Sequence, residues 1–276
     1  MTRSILITGS STGIGYHAAH TLKERGWTVV AAARKQADVE RLSNEGFHAV
    51  RLDYTDEASI TSALDETLKI TDGRLDAVFN NGAYGLVGAL EDVPTQALRD
   101  QFEANFFGWH DLTRRTVPVM RGQESGRIVQ CSSVLGFISS AYRGPYAATK
   151  FALEGYTDAL RAEVEPFGIK VISIQPGPIT SAFRENALRQ FKTTIDVDGS
   201  AYNTDYQHQL KRLTSRDKAS FELGPEAVTD VLIKALEVPS PRTVYRVTFP
   251  THALSLARRI LPTKALHGLL AKGRRS

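Results

Sequence analysis

The sequence is short of sulfur, of long apolar runs and, toward one end, of acid. Its 276 residues hold one cysteine, Cys131, so no disulfide can form within the chain, and the alternating stretch "RIVQCS" around it reads as a strand with a buried structural thiol. No segment reaches the roughly 18 consecutive apolar residues of a membrane span. The opening "MTRSILITGSSTG" turns polar too soon for a secretory signal, which predicts a cytoplasmic protein. From Thr251 to Ser276 there are six basic residues (Arg258, Arg259, Lys264, Lys272, Arg274 and Arg275) and no acid. The formal charge of +4 therefore sits in this tail, because the first 250 residues set 28 basic against 30 acidic side chains, a net of −2. A body charged in that way excludes a basic groove for nucleic acid.

What is present is an alternation of apolar strands with amphipathic helices, in a chain that is 42% apolar. "SILIT", "TVVAAA", "HAVRLD", "LDAVFN", "RIVQCS", "KVISIQ" and "VYRVT" read as strands. Helices are expected from Gly15 to Arg25, Asp56 to about Ile70, Thr95 to Met120, around "GPYAATKFALEG" and at "GPEAVTDVLIKAL". The pattern predicts an α/β fold, a single-domain Rossmann-type doubly wound parallel sheet of about seven strands with helices on both faces. That domain is expected over residues 1–250, with a polar insertion at 181–222 whose length calls for short helices forming a substrate lid. Residues 251–276 read as a basic amphipathic tail with Leu254, Leu256, Ile260, Leu261, Leu266, Leu269 and Leu270 as its apolar set, split at Pro262 and lying against a membrane surface or the protein's own body.

The first strand runs into "TGSSTGIG" (Thr8 to Gly15), which opens the first helix. Glycines there let backbone approach a pyrophosphate, and the helix N-terminus offers free N–H groups. Gly9 to Gly13 also spell G-x-S-x-G, a nucleophile elbow centred on Ser11. His208, His252 and His267 lie downstream, but Ser11 follows the first strand of the chain, so nothing upstream could supply an oxyanion loop. A dinucleotide site is the better reading. At the end of the second strand, where an acid would select NAD, stand Ala33, Arg34 and Lys35. A guanidinium suits a 2′-phosphate, so NADP is expected, with Asp53 on the adenine amino group or capping the next helix.

Tyr146 and Lys150 share a helix face at i, i+4, placing an ammonium beside a phenol. Together with "TGSSTGIG", "NNGA", Asn105 in "EANFFG", "SSVLG" and "PGPITS", the run "YAATK" resembles the short-chain dehydrogenase/reductase family from about residue 3 to about residue 180. "KFALEGYTDALRAEVEPFGIKV" and "FNNGAYG" look most like its hydroxysteroid and retinol dehydrogenase branch and bacterial aldehyde-reductase relatives. The resemblance implies Asn105, Ser133, Tyr146 and Lys150 as the catalytic set, Ser133 being picked by its distance of thirteen residues before the tyrosine. It implies a cofactor site of Gly9, Ser11, Thr12, Gly13, Ile14, Gly15, Arg34, Asp53, Asn81, Gly82, Ala83, Tyr146, Lys150, Pro176, Gly177, Ile179 and Ser181. No residue is assigned to a metal.

Two departures stand out. The family's N-N-A-G is here Asn80, Asn81, Gly82 and Ala83, with alanine and glycine exchanged, and its threonine after P-G falls on Ser181, with Thr180 just before. Tyr146 is read as the proton donor, its value lowered by Lys150 and oxidised nicotinamide, with Ser133 on the substrate oxygen and Asn105 holding a water. Leu135, Phe137, Tyr142 and Phe183 are the candidate pocket residues. The expected activity is hydride transfer between NADP(H) and an apolar aldehyde, ketone or secondary alcohol. The rival is a non-catalytic NADP-binding sensor, which would have no need of intact Ser133, Tyr146 and Lys150. The resemblance further implies a homo-oligomer built through the two long helices.

Overall fold

The computed structural model describes residues 2–215 and 217–272. Seven strands, β1 (Ser4–Ile7), β2 (Thr28–Ala33), β3 (His48–Arg51), β4 (Ala77–Asn80), β5 (Gly126–Cys131), β6 (Ile169–Pro176) and β7 (Val244–Val247), form one sheet. Their order is β3-β2-β1-β4-β5-β6-β7 and every pairing is parallel. Helices cover both faces, so the central strands β1 and β4 are buried along their whole length and read as unbroken apolar runs. The chain winds outward from β1 to β3 and then returns to the other side of β1 for β4. A crevice opens at that reversal, beyond the carboxyl ends of β1 and β4.

The helices are α1 (Gly13–Glu24), α2 (Gln36–Asn44), α3 (Glu57–Ile70), α4 (Thr95–Phe102), α5 (Gly108–Gly122), α6 (Gly144–Val164), α7 (Phe183–Thr194), α8 (Asn203–Thr214), α9 (Glu226–Glu237), α10 (Phe249–Ile260) and α11 (Thr263–Lys272). Two differ from the sequence-based expectation. Helix α2 escaped notice because its nine residues bury only Val39 and Leu42 and no side chain caps its start. The helix expected from Thr95 to Met120 is instead two, joined by a π turn over Glu103–Phe107. One extra residue in that turn rotates α4 against α5, and periodicity alone does not reveal it. Among the described residues no helix is long and apolar enough to cross a membrane.

Most buried apolar side chains form one cluster around the sheet. A second gathers Val87, Ala89, Tyr142, Phe191, Ile195 and Tyr206, and it seats α7 and α8 on the loop after β4. Ala89 N–H donates to the Tyr206 hydroxyl at 2.9 Å, and that hydroxyl donates to Asp92 at 2.5 Å. Phe191 is fully buried, edge-on to Tyr206 with ring centroids 5.2 Å apart. Because this cluster is separate from the main core, Phe191→Ala should open α7 and α8 while the sheet stays folded. A loss of about 3–5 kcal/mol raises the open population on the order of a hundredfold or more. Limited proteolysis within residues 183–214 should accelerate by that factor, with little change in the main unfolding transition.

Candidate active site

The crevice is built by two loops that touch without side chains between them. Gly9 has φ of +66°, and a Cβ added there would lie 2.6 Å from the Cα of Gly82, so only glycine lets the loop after β1 meet the loop after β4. A Cβ on Gly15 would strike the Gly9 carbonyl oxygen at 2.4 Å. At Gly82 itself the nearest backbone would be 3.3 Å away, which is tight yet close to what an alanine tolerates, so the glycine–alanine exchange here costs little. The Thr8 hydroxyl ties the loops together, accepting from the N–H groups of Asn81 at 2.9 Å and Gly82 at 3.1 Å. The Tyr54 hydroxyl braces it, 2.8 Å from Thr8 and 2.7 Å from the Asn80 side-chain oxygen.

Thr12 is the N-cap of α1, extended in backbone and with no side-chain cap bond, so the first N–H groups of that helix face the crevice uncapped. That suits an anionic group. The loop carbonyl of Ser11 is held by Arg41 of α2 at 2.7 Å, while Ile14 packs on the core. Arg41 is a residue the sequence reading missed, since α2 itself was missed.

Tyr146 lies in the first turn of α6 and Lys150 one turn later, with the Lys150 ammonium 5.7 Å from the Tyr146 ring centroid. Lys150 is 1% exposed. Its ammonium donates to the Cys131 carbonyl at 2.8 Å and sits 4.2 Å over the ring of Trp109, whose indole N–H donates to the Gly82 carbonyl at 2.9 Å. Burial pulls the Lys150 ammonium down to about 8, against the opposing fields of Cys131 and Glu154. Loss of solvent around Tyr146 raises its hydroxyl, and Cys131 adds to the rise while a hydrogen bond with Ser133 opposes it. The lowering expected for Tyr146 rests on Lys150 together with oxidised nicotinamide, whereas in the protein alone desolvation of the phenolate is the largest effect and the value rises. Trp109, i+4 from Asn105 and wholly buried, was also missed. Its spacing from Asn105 was the available signal.

Asn105 sits within the π turn and is fully buried. Its side chain grips Tyr84: Oδ1 accepts from the Tyr84 N–H at 3.2 Å, and Nδ2 donates to the Tyr84 carbonyl at 2.8 Å. The amide is thus a clamp on the loop after β4, with a longer contact of 3.4 Å to Thr149 on α6. Ser133 caps a short 3-10 turn over Val134–Gly136, its Oγ accepting from the Leu135 N–H at 3.1 Å.

The remaining expected residues fall in several places. Arg34 is exposed just past β2, and Lys35 follows it. Asp53 takes the N–H and hydroxyl of Thr55 on Oδ1, and α3 is capped by Asp56 instead. Asn81 Nδ2 donates to the Thr8 carbonyl, and the Ala83 side chain packs on the core. Pro176 ends β6, Gly177 N–H donates to the Val247 carbonyl, and Ile179 bridges to Leu223. Of the two hydroxyls after P-G, Ser181 lies against the glycine loop, where a Cβ on Gly13 would meet it at 2.9 Å. Thr180 turns away to Glu222.

Among the pocket candidates, only Phe183 meets the tyrosine. Its ring is edge-on to Tyr146 at 5.2 Å and occupies the space a Cβ on Gly85 would need. Tyr142 is buried in the second apolar cluster with its hydroxyl on Asp205, because the helices of the insertion close over it. The Phe137 ring lies under the Arg246 guanidinium at 5.9 Å, toward β7. Leu135 is half-buried beside Ser133.

A glycine turn, a crevice at the strand-order reversal and a serine, tyrosine and lysine on its carboxyl edge define an oxidoreductase on a doubly wound sheet. A family model described as short chain dehydrogenase matches residues 3–192. The chain is 41% identical over 271 residues to the uncharacterized oxidoreductase YbbO of Escherichia coli (strain K12), covering 98% of this chain and 94% of that protein. 17-beta-hydroxysteroid dehydrogenase type 1 of Homo sapiens is 30% identical over 258 residues, 88% of this chain and 77% of that one. A solved short-chain dehydrogenase from Streptomyces avermitilis aligns with TM-score 0.77 and 28% identity, over 94% of this chain and 93% of that one. The chain belongs to the short-chain dehydrogenase/reductase family.

The depressed Lys150 value has a signed consequence. Between about 8 and the ordinary 10.5 the unfolded chain keeps this proton and the folded one releases it, so stability rises with pH across that window. The cost of the buried charge, up to about 3 kcal/mol, is fully present below pH 8 and gone above 10.5. Urea unfolding of wild type and Lys150→Met from pH 7 to 11 checks this. The stability of the wild type should gain on that of the variant as pH rises, and parallel curves would refute the assignment.

Proposed function

We propose that the protein transfers a hydride between NADP(H) and an apolar carbonyl compound or its alcohol, with Tyr146 moving the proton. The observation that carries this reading is the Phe183 ring set edge-on against Tyr146 beside Ser133, an apolar wall at the proton donor. Bound NADPH would supply the hydride. Gly9, Gly13 and the uncapped start of α1 would hold its pyrophosphate, and Arg34 its 2′-phosphate. The raised Tyr146 value keeps the proton on the phenol at neutral pH, the state a carbonyl reductase needs. Ser133 hydrogen-bonds the substrate oxygen as negative charge gathers there, and the Lys150 ammonium steadies the phenolate left behind. The hydroxysteroid named in the human relative is an apolar alcohol, which supports the same class of substrate here by analogy.

Tyr146→Phe removes the proton donor and leaves the cofactor cradle untouched. Turnover of NADPH with a panel of apolar aldehydes and ketones should fall by about 10²–10⁴-fold, with NADPH affinity nearly unchanged by fluorescence titration. Retention of more than about a tenth of the rate would sink the assigned role.

Arg34 is expected to separate the two cofactors. A charge-assisted contact of about 1.5–3 kcal/mol implies a preference for NADPH over NADH of roughly ten- to a hundredfold. Arg34→Ala should erase most of that gap, and equal dissociation constants in the wild type would overturn NADP selectivity.

A further inference from the structure

Helix α10 turns large apolar side chains outward. Phe249, Ala253, Leu256 and Ile260 recur at i, i+4, i+7 and i+11 and so share one face. That face looks outward: Phe249 is 66% exposed, Leu256 59% and Ile260 67%. The side turned to the protein is mixed, with Thr251 wholly buried, its hydroxyl 3.1 Å from Thr248, and Leu254, Ser255 and Ala257 half-buried. Phe221 extends the stripe, its ring 5.2 Å from that of Phe249, and Leu261 and Leu269 are exposed beyond it while Leu266 is buried.

Charge says what this face meets. After Glu237 the chain contains no further acid, and Arg258, Arg259 and Lys264 are exposed beside or next to the apolar stripe. The Arg258 guanidinium lies 5.4 Å from the Phe151 ring on α6, which fixes its place. The side chain of Lys272, and Arg274 and Arg275 altogether, fall outside the described residues. A second copy of the chain paired through this same face would set its exposed Arg258, Arg259 and Lys264 against their own copies, which like charge opposes. We propose that α10 and α11 dock on an anionic membrane surface. The stripe enters the boundary between headgroups and acyl chains, and the arginines and lysine meet the lipid phosphates. The attachment is peripheral and reversible, since neither helix is long or apolar enough to span.

Binding of the full chain to vesicles is measured without cofactor or substrate, so its outcome is independent of the reductase reading. Phosphatidylcholine vesicles containing phosphatidylglycerol should co-sediment the protein at low salt and release it as salt rises, whereas phosphatidylcholine alone should bind little. Arg259→Gln with Lys264→Gln should weaken binding about fivefold per charge removed. Leu256→Asp with Ile260→Asp should abolish it. These four side chains are exposed, and an unchanged thermal midpoint verifies that the variants fold. Absence of the full chain from the anionic pellet at low salt overturns the proposal. So does wild-type binding in the Asp variant, or a wild-type dimer in solution that the Asp variant converts to monomer.

Discussion

The buried ammonium of Lys150 is the interaction on which the rest of the site depends. It reaches from α6 to the Cys131 carbonyl of β5 and lies on the Trp109 ring of α5. Trp109 in turn holds the Gly82 carbonyl, and the Gly82 N–H is held by Thr8 at the start of the glycine loop. One continuous set of contacts thus joins the tyrosine-bearing helix to the loop after β1. Removing a cation from water costs several kcal/mol, and one carbonyl with one ring face offsets only part of that. The shortfall appears as the downward displacement of the Lys150 proton affinity.

A buried cation of this kind is tolerable only if its neighbours cannot move away, which explains the density of clamps around it. Asn105 fixes the backbone of Tyr84, and Gln101 in the preceding turn donates to the same Tyr84 carbonyl while accepting from Leu86 N–H. The π turn allows both, since the extra residue swings Asn105 into the loop without unwinding α5. The price is local regularity of the helix, spent where the loop after β4 must be held still.

The apolar side of the site belongs to a different part of the molecule. Phe183 opens α7, whose buried face rests in the second cluster and not in the main core. The tyrosine is therefore carried by the rigid sheet layer, and the wall against it by a segment with its own smaller core. Such segments open at lower free energy than the sheet, so Phe183 can move off Tyr146 while the sheet layer stays closed.

The strands along the chain, the glycine turn and the tyrosine–lysine pair were legible because each is written in local spacing: apolar runs of four to eight residues, glycines at a strand-to-helix turn, and a helical i, i+4. Whatever rests on contact between distant segments was not. The insertion's length announced helices, but only packing revealed that they bury Tyr142 and leave Phe183 at the tyrosine. Arg41, Trp109 and the clamp role of Asn105 depend on partners 30, 27 and 21 residues away, respectively. The sign of the Tyr146 displacement likewise follows from how much water the folded chain excludes, a property of the assembled cleft. By itself the sequence determined the fold class and the candidate side chains, through periodicity, residue type and family motifs. Only the tertiary structure decided which of them meet, because burial and contact are set where elements far apart in the chain close on one another.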